Sequence, residues 1–268
     1  MKRDFKDKVV LVTGGTGNLG QAISRAFAQQ GAKLVAIDLN ETLLENMQED
    51  FEAEGYKLLT RICDITDKSA CAAAFDFVIK QYGKIDVLVN NAGITHIEPY
   101  TKMDKSKGIT RKVMEVNFFG AVNCIEGCID QIIQHKGCII NISSVAGFAP
   151  LLGRTAYAAS KHALHGFFES LYCELKDKGV HCLMVCPSFI QAPLTAAKAV
   201  AESSIYQKKK TIGKDVSPND IAQDILTYCI KNKPLLVSGK TGKISYWLHR
   251  FAPRIYQRMM VNQLKKEL

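Results

Sequence analysis

The sequence predicts an α/β fold: a doubly wound parallel sheet with helices on both faces, in a single domain, followed by a basic amphipathic C-terminal tail. Three observations carry this expectation. Short, near-continuous apolar runs alternate with amphipathic segments along the chain, the pattern of strands buried on both sides between covering helices. A Gly-rich turn joins the first apolar run to the first amphipathic one. The chain has 268 residues, 47% apolar and 23% charged, enough to bury a large core without disulfides or metals.

The elements follow in order. Residues 8–13 (KVVLVT) read as a buried strand. A helix comes next, with Leu19, Ile23 and Phe27 on one face and Gly31 at its end. Residues 33–38 (KLVAID) form the second strand, 41–54 a helix and 57–64 the third strand. A helix over 67–81 ends at Gly83, and a strand covers 85–93. A long helix is expected over 109–134, a strand over 137–144, a helix over 155–178 and a strand over 180–187. Residues 188–217, rich in small residues and carrying Lys208-Lys209-Lys210, break the rhythm and are expected to form a substrate lid. A helix over 218–232 starts with Pro218 in its first turn, and residues 235–239 are the last strand. The domain is expected to span 1–244, and the tail, 245–268, to be amphipathic but interrupted by Pro253.

Composition excludes wholesale disorder, a collagen-like chain and a disulfide-stapled miniprotein. No run approaches the ~20 apolar residues of a membrane span. The apolar run near the N-terminus is shorter than the ~7–15 residues of a signal-peptide core. A cytoplasmic location is therefore expected, with peripheral membrane attachment through the tail. Residues 1–190 hold 21 Lys+Arg against 21 Asp+Glu, and residues 191–268 hold 14 against 5, so the whole net charge of +9 sits in the last third of the chain. Such a tail suits an anionic membrane surface, and the competing readings are a solvated basic surface or a tail packed on the domain or on a second subunit. The sequence has no recognisable helix-turn-helix or basic-aromatic sheet motif, which argues against nucleic acid. The nine cysteines form no C-x-x-C pair and lie mostly in apolar runs, so they read as reduced core thiols, with no metal site.

The chemistry begins at Thr13-Gly14-Gly15-Thr16-Gly17-Asn18-Leu19-Gly20. A Gly-rich strand-to-helix turn lets backbone N–H groups and the helix N-terminus approach a pyrophosphate. Asp38 ends the second strand, where a carboxylate accepts both hydroxyls of an adenosine ribose and repels the extra phosphate of NADP; NAD is therefore the expected cofactor. The competing reading of Asp38 is a helix N-cap for the segment starting at Glu41. Tyr157 and Lys161, four apart, share a helix face. A fixed ammonium beside a phenol favours the phenolate and brings tyrosine into catalytic range. Ser144 ends a strand, which places a hydroxyl at the C-terminal edge of the sheet, where doubly wound folds bind ligands.

Taken together, Thr13-Gly14…Gly20, Asp38, Asp64, Asn90-Asn91-Ala92-Gly93, Asn117, Ser144 and Tyr157-x-x-x-Lys161 resemble the short-chain dehydrogenase/reductase family over essentially residues 6–240. The resemblance implies a Rossmann-type sheet and hydride transfer between NAD(P) and an alcohol or carbonyl carbon. It implies that Ser144 orients the carbonyl and that Tyr157 moves the proton. Lys161 would hold the nicotinamide ribose and lower the Tyr157 pKa, and Asn117 would hold a relay water. The implied cofactor cleft comprises Gly14, Thr16, Gly17, Asn18, Leu19, Asp38, Asp64 and Ile65 beside the adenine, Asn91, Ala92, Gly93, Tyr157, Lys161, and Pro187 with Ile190 near the nicotinamide. A homo-oligomer, dimer or tetramer, paired through the helices of 109–134 and 155–178, is also implied.

Two departures stand out. Asn18 replaces the usual Gly, which calls for an Asn in left-handed backbone. Pro187-Ser188-Phe189-Ile190-Gln191-Ala192 replaces Pro-Gly-x-x-x-Thr and puts the cofactor contact at 192 in question. His96, after the Asn-Asn-Ala-Gly turn, and Phe148 are expected to touch substrate, together with Ser144 and Tyr157. The apolar wall of Phe148, Leu151 and Leu152 predicts a lipophilic substrate, such as a steroid-, retinoid- or acyl-like alcohol or carbonyl. The alternative is a catalytically weak NAD-binding sensor or scaffold recruited through its basic tail.

Overall fold

The computed structural model describes residues 2–191 and 215–267. Seven parallel strands form one sheet in the order β3-β2-β1-β4-β5-β6-β7. They are β1 (Val9–Thr13), β2 (Lys33–Asp38), β3 (Leu58–Ile62), β4 (Val87–Asn90), β5 (Cys138–Ile142), β6 (His181–Cys186) and β7 (Leu235–Val237). Strands β1, β4, β5 and β6 are buried along their whole length, which is why they read as unbroken apolar runs rather than as alternation. The strand order reverses between β1 and β4, so a crevice opens at their C-terminal ends.

One helical layer comprises α1 (Asn18–Ala28), α2 (Glu41–Ala53) and α8 (Pro218–Ile230), whose apolar faces meet β1, β2 and β5 around Phe27, Phe51 and Ile225. Burying a side chain of the Phe27 type contributes about 1.5–3 kcal/mol. The opposite layer is built on α3 (Lys68–Tyr82), α5 (Gly120–Glu126), α6 (Ile129–Gln134) and α7 (Thr155–Leu175), around Phe75, Ile132 and Phe168. Local signals set the boundaries. Asn40 caps α2 through Leu43 N–H, Asp67 caps α3, Gly83 closes α3 at φ +76°, and Ser217 precedes Pro218 at the start of α8.

The helix expected over 109–134 is broken. It runs as α4 (Ile109–Met114), a π-helical turn over Glu115–Phe119, α5 and α6. The π-turn carries the buried Asn117, whose side chain is claimed by neighbouring segments, and a break at Cys128 (φ −142°) separates α5 from α6. The C-terminal helix also begins earlier than Ser245. Gly239, at φ +77°, turns the chain from β7 into α9 (Lys240–Phe251), and Pro253 opens α10 (Pro253–Glu267). All nine thiols are free and eight are buried, Cys173 being the exposed one. Most of the expected lid lies outside the described residues. Its two ends are joined by a parallel bridge between Ile190 and Val216.

Candidate active site

The Gly-rich turn is built by close backbone approach. Gly14 has φ +60°, and a Cβ there would lie 2.8 Å from Ala92 Cα; a Cβ on Gly20 would lie 2.5 Å from Gly14 O. Neither position has room for a side chain, so the turn and the first turn of α1 sit tightly against β4. Gly17 is the N-cap of α1, and Asn18 is its first helical residue. Asn18 is not among the residues with positive φ, so the departure at this position needs no left-handed backbone. Leu19 is buried beneath it.

Asp38 is tied to this turn. Its carboxylate accepts from Thr16 N–H at 3.1 Å and Thr16 Oγ1 at 2.6 Å, and from Leu39 N–H at 2.7 Å. Asn40, not Asp38, caps α2, which removes the competing reading of Asp38. Asn91 donates to Thr13 O and Gly14 O, and Thr13 Oγ1 accepts from the N–H groups of Asn91 and Ala92. Thr13 thus locks the end of β1 to the turn after β4, a role its buried place at a strand end did not announce. Asp64 is exposed and accepts from Thr66, while Ile65 is buried against Gly120.

At the C-terminal ends of β4 and β5 lies a cleft of about 220 Å³. It is lined by Leu19, Asn91, Gly93, Ile94, Ser144, Tyr157, Lys161, Pro187, Ser188 and Ile190, among others. It brings together the expected serine, tyrosine and lysine. His96 and Phe148 are not among its described lining: His96 pairs with Glu98 at 3.1 Å, and the Phe148 ring packs edge-on against Tyr246 of α9 at 5.0 Å.

Asn117 is 1% exposed and held at both ends: Oδ1 accepts from Ile94 N–H at 2.8 Å, and Nδ2 donates to Ile94 O and to Ser160 Oγ, both at 2.9 Å. Ser160 Oγ in turn donates to Tyr157 O at 2.8 Å, so it links the π-turn to the helix carrying Tyr157. A Cβ on Gly93 would sit 3.2 Å from Asn117 Oδ1 and 3.6 Å from Lys161 Nζ; the glycine keeps the gap between them open. Ser188 fits because Gly239 faces it: a Cβ on Gly239 would lie 2.7 Å from Ser188 Oγ. Ala192 lies outside the described residues.

The electrostatics differ from expectation. Burial pushes the Tyr157 phenol above its ordinary value, opposed by a hydrogen bond with Ser144 and by the Arg154 guanidinium. Lys161 Nζ lies 5.6 Å from the Tyr157 ring centroid. Lys161 is itself depressed by burial to about 8, with Nζ donating to Ile142 O at 2.8 Å. A second cation, Arg154, lies 6.0 Å from the ring centroid and holds the phenol down against burial. Its position three residues before Tyr157, one helical turn away, was the available signal. Among the described residues one group, Cys138, His181 and Cys229, brings three ligand-type atoms within 4.8 Å. It lies at the other end of β5 and β6 from the cleft, and all three residues are buried.

The cleft has the features of a dinucleotide site. Its glycines leave backbone room for a pyrophosphate at the start of α1, and Asp38 presents a carboxylate at the end of β2.

Comparison with known proteins agrees with this architecture. The family model for short chain dehydrogenase matches residues 8–203. "Dehydrogenase/reductase SDR family member 7B" of Bos taurus is 31% identical over 276 aligned positions, covering 100% of this chain and 84% of the relative. The protein of the same name from Danio rerio is 28% identical, covering 98% and 88%. A short chain dehydrogenase/reductase from Burkholderia phymatum, solved in complex with NAD, superposes with a TM-score of 0.83 at 22% identity over 94% of this chain and 96% of that one. Thermoplasma acidophilum aldohexose dehydrogenase superposes at 0.73 with 28% identity, over 88% and 94%. With its parallel sheet, its tight Gly14–Gly20 turn and its Ser144, Tyr157 and Lys161 in one cleft, the chain belongs to the short-chain dehydrogenase/reductase family of oxidoreductases.

Proposed function

We propose that this protein transfers a hydride between NAD(H) and a secondary alcohol or carbonyl of a lipophilic small molecule. The observation that carries the reading is the convergence of Ser144, Tyr157 and Lys161 on one cleft beside the Gly-rich turn, with Asn117 anchored beneath it. A nicotinamide dinucleotide, when bound, supplies the hydride. Gly14, Thr16, Gly17, Asn18 and Leu19 would hold its phosphates, Asp38 its adenosine ribose, and Asn91, Ala92, Gly93, Pro187 and Ile190 the nicotinamide half. No basic residue lies in Ala36-Ile37-Asp38-Leu39-Asn40 to offset the Asp38 charge, which favours NAD over NADP.

The chain's own residues manage the proton and the charge. Burial keeps Tyr157 protonated at neutral pH, which suits it to donate to the oxygen of a carbonyl being reduced. The Ser144 hydroxyl donates to the same oxygen as negative charge grows there; a donor of this kind is worth about 2.7–4 kcal/mol. Lys161, charged below about pH 8, holds positive charge beside the cleft. Ile94 and Ile142, lining residues not assigned to the cofactor, give the cleft apolar surface, which supports a lipophilic substrate.

The test is NADH oxidation against a panel of lipophilic aldehydes and ketones, with Tyr157→Phe as control. Turnover that disappears in the variant supports the reading. NAD raising the melting temperature without turnover of any panel member overturns it in favour of a sensor or scaffold. The departures that favoured that alternative are accommodated, Asn18 within the helix and Ser188 against Gly239.

A further inference from the structure

Helices α9 and α10 have two faces. The inner one joins the domain: Tyr256 and Met260 pack with Ala149, and Val145, Phe148, Leu152 and Leu248 lie against them. This contact falls on the segment between Ser144 and Tyr157, so the helix pair packs against the chain that joins two lining residues of the candidate active site. Among the described residues the outer face has no covering element. On α9 the residues Lys240, Lys243, Ile244, Trp247, Arg250 and Phe251 recur at helical spacing and are all exposed. Ile244, Trp247 and Phe251 are 64%, 56% and 74% exposed, and Trp247 stacks on Phe251 at 5.6 Å with an interplanar angle of 7°. On α10, Ile255 and Met259 are exposed beside Arg254 and Arg258. No Asp or Glu occurs between Lys240 and Asn262.

Large apolar side chains held in water have no reason to persist in a monomer surface unless something covers them. Cations interleaved with Trp, Phe and Ile on one helix face match an anionic lipid interface, where apolar groups enter the acyl boundary and Lys and Arg meet the headgroups. Nucleic acid would meet the charge and stack on the aromatic pair, but it offers nothing apolar to Ile244, Ile255 and Met259. The helices have 12 and 15 residues, and no helix among the described residues is long and apolar enough to cross a membrane, so the geometry is that of lying on a bilayer.

We propose that the outer face of α9 and α10 docks on a bilayer containing anionic phospholipid, setting the candidate active site about one helix diameter, ~10 Å, from the lipid that holds its substrate. The substrate clause rests on the oxidoreductase reading above; the docking does not.

The experiment is flotation of the full chain with vesicles of phosphatidylcholine alone or mixed with phosphatidylserine. The wild type is compared with Trp247→Ser/Phe251→Ser and with Lys243→Glu/Arg250→Glu. All four side chains are exposed, so neither variant removes core contacts, and circular dichroism checks the fold. Expected is binding to the mixed vesicles only, weakened by salt, and reduced in the charge-reversed variant on the order of fivefold for each unit of charge changed, two per substitution. The aromatic variant loses binding at every ionic strength. Equal binding by wild type and both variants, or none to the mixed vesicles at low salt, overturns the docking. So does a concentration-dependent dimer that Trp247→Ser/Phe251→Ser dissolves, which assigns the face to a second copy of the chain. A second arm uses a turned-over carbonyl supplied either in vesicles or as a water-soluble homologue. The aromatic variant is expected to raise KM for the vesicle-held form at least severalfold and to leave turnover of the soluble one unchanged. Docking without turnover of either form retains the membrane face and rejects the oxidoreductase reading.

Discussion

Asp86, just before β4, and Lys161, on α7, are charged groups sealed at opposite ends of the same sheet, and the protein treats them in opposite ways. Burial alone would raise Asp86, but the Val9 N–H at 2.9 Å and the ammonium groups of Lys84 and Lys8 at 3.0 and 3.1 Å outweigh it and hold the carboxyl below its ordinary range. Lys161 has one hydrogen bond, to a backbone carbonyl, and no salt bridge among the described residues; burial depresses it to about 8. The N-terminal end of the sheet, which also has the larger cavity (about 590 Å³, lined by Arg3, Asp86 and His181), compensates its buried carboxylate fully. The C-terminal end leaves charge uncompensated where a ligand would supply the partner. Volume therefore does not locate the chemistry; unbalanced charge does.

The sharpest way to break this comparison is at Tyr157. Tyr157→Phe removes the proton donor and should lower turnover on the order of 10³–10⁴-fold with the melting temperature little changed, a general-acid effect of the usual size. Retained turnover would strip the C-terminal end of its assigned chemistry. Lys161→Met is next. It should abolish turnover yet leave the cofactor-free protein as stable as wild type or more so, since replacing a poorly paired buried charge by an apolar chain is often neutral or favourable. The Lys161 pKa is lowered on folding, so its burial opposes stability below about pH 8 and that penalty fades as pH rises from about 8 towards the unfolded value. In the wild type, kcat/KM should accordingly fall as pH rises through about 8. Calorimetry with a pH–rate profile checks both, and a destabilised Lys161→Met would refute the contrast.

Asp86→Asn tests the other end. It should cost about 1–3 kcal/mol in denaturant unfolding, because a buried acceptor of two ammonium groups is weakened. Its folded pKa is depressed, so the stability Asp86 contributes is present above the ordinary carboxylate range and lost as pH falls through its folded value. The variant should lack that part of the acid-unfolding limb while keeping turnover per folded molecule. The smallest effect is expected from Arg154→Gln. With a guanidinium no longer 6.0 Å from the Tyr157 ring, the phenol should titrate at higher pH by less than one unit in a spectroscopic titration, with the Lys161 limb near pH 8 in place and less than a tenfold change in turnover.

Much of this was legible in the residue order because local physics decided it. The run of buried strands, the glycines of the first turn, the helix ends at Gly31 and Gly83, Pro218 in the first turn of its helix and the four-residue spacing of Tyr157 and Lys161 each act within a few residues. Where long-range contacts compete with local pattern, the reading diverged. The apolar periodicity of 109–134 runs straight through Asn117, yet the helix yields a π-turn there because Ile94 and Ser160, distant in sequence, claim the Asn117 side chain. Phe148 and His96 lie close to the site in sequence, but their partners are Tyr246 and Glu98.

By itself the sequence determined the fold class, the strand and helix succession and the identity of the reactive groups, since hydrophobic periodicity and turn chemistry are local properties. Only the tertiary structure decided that Arg154 joins Lys161 beside the Tyr157 ring, how deeply Lys161 is buried, and which face of the basic C-terminal helices is consumed by the domain and which is left outward. Those are properties of packing: electrostatics and burial depend on what other segments bring within a few ångströms, and no spacing along the chain encodes that distance.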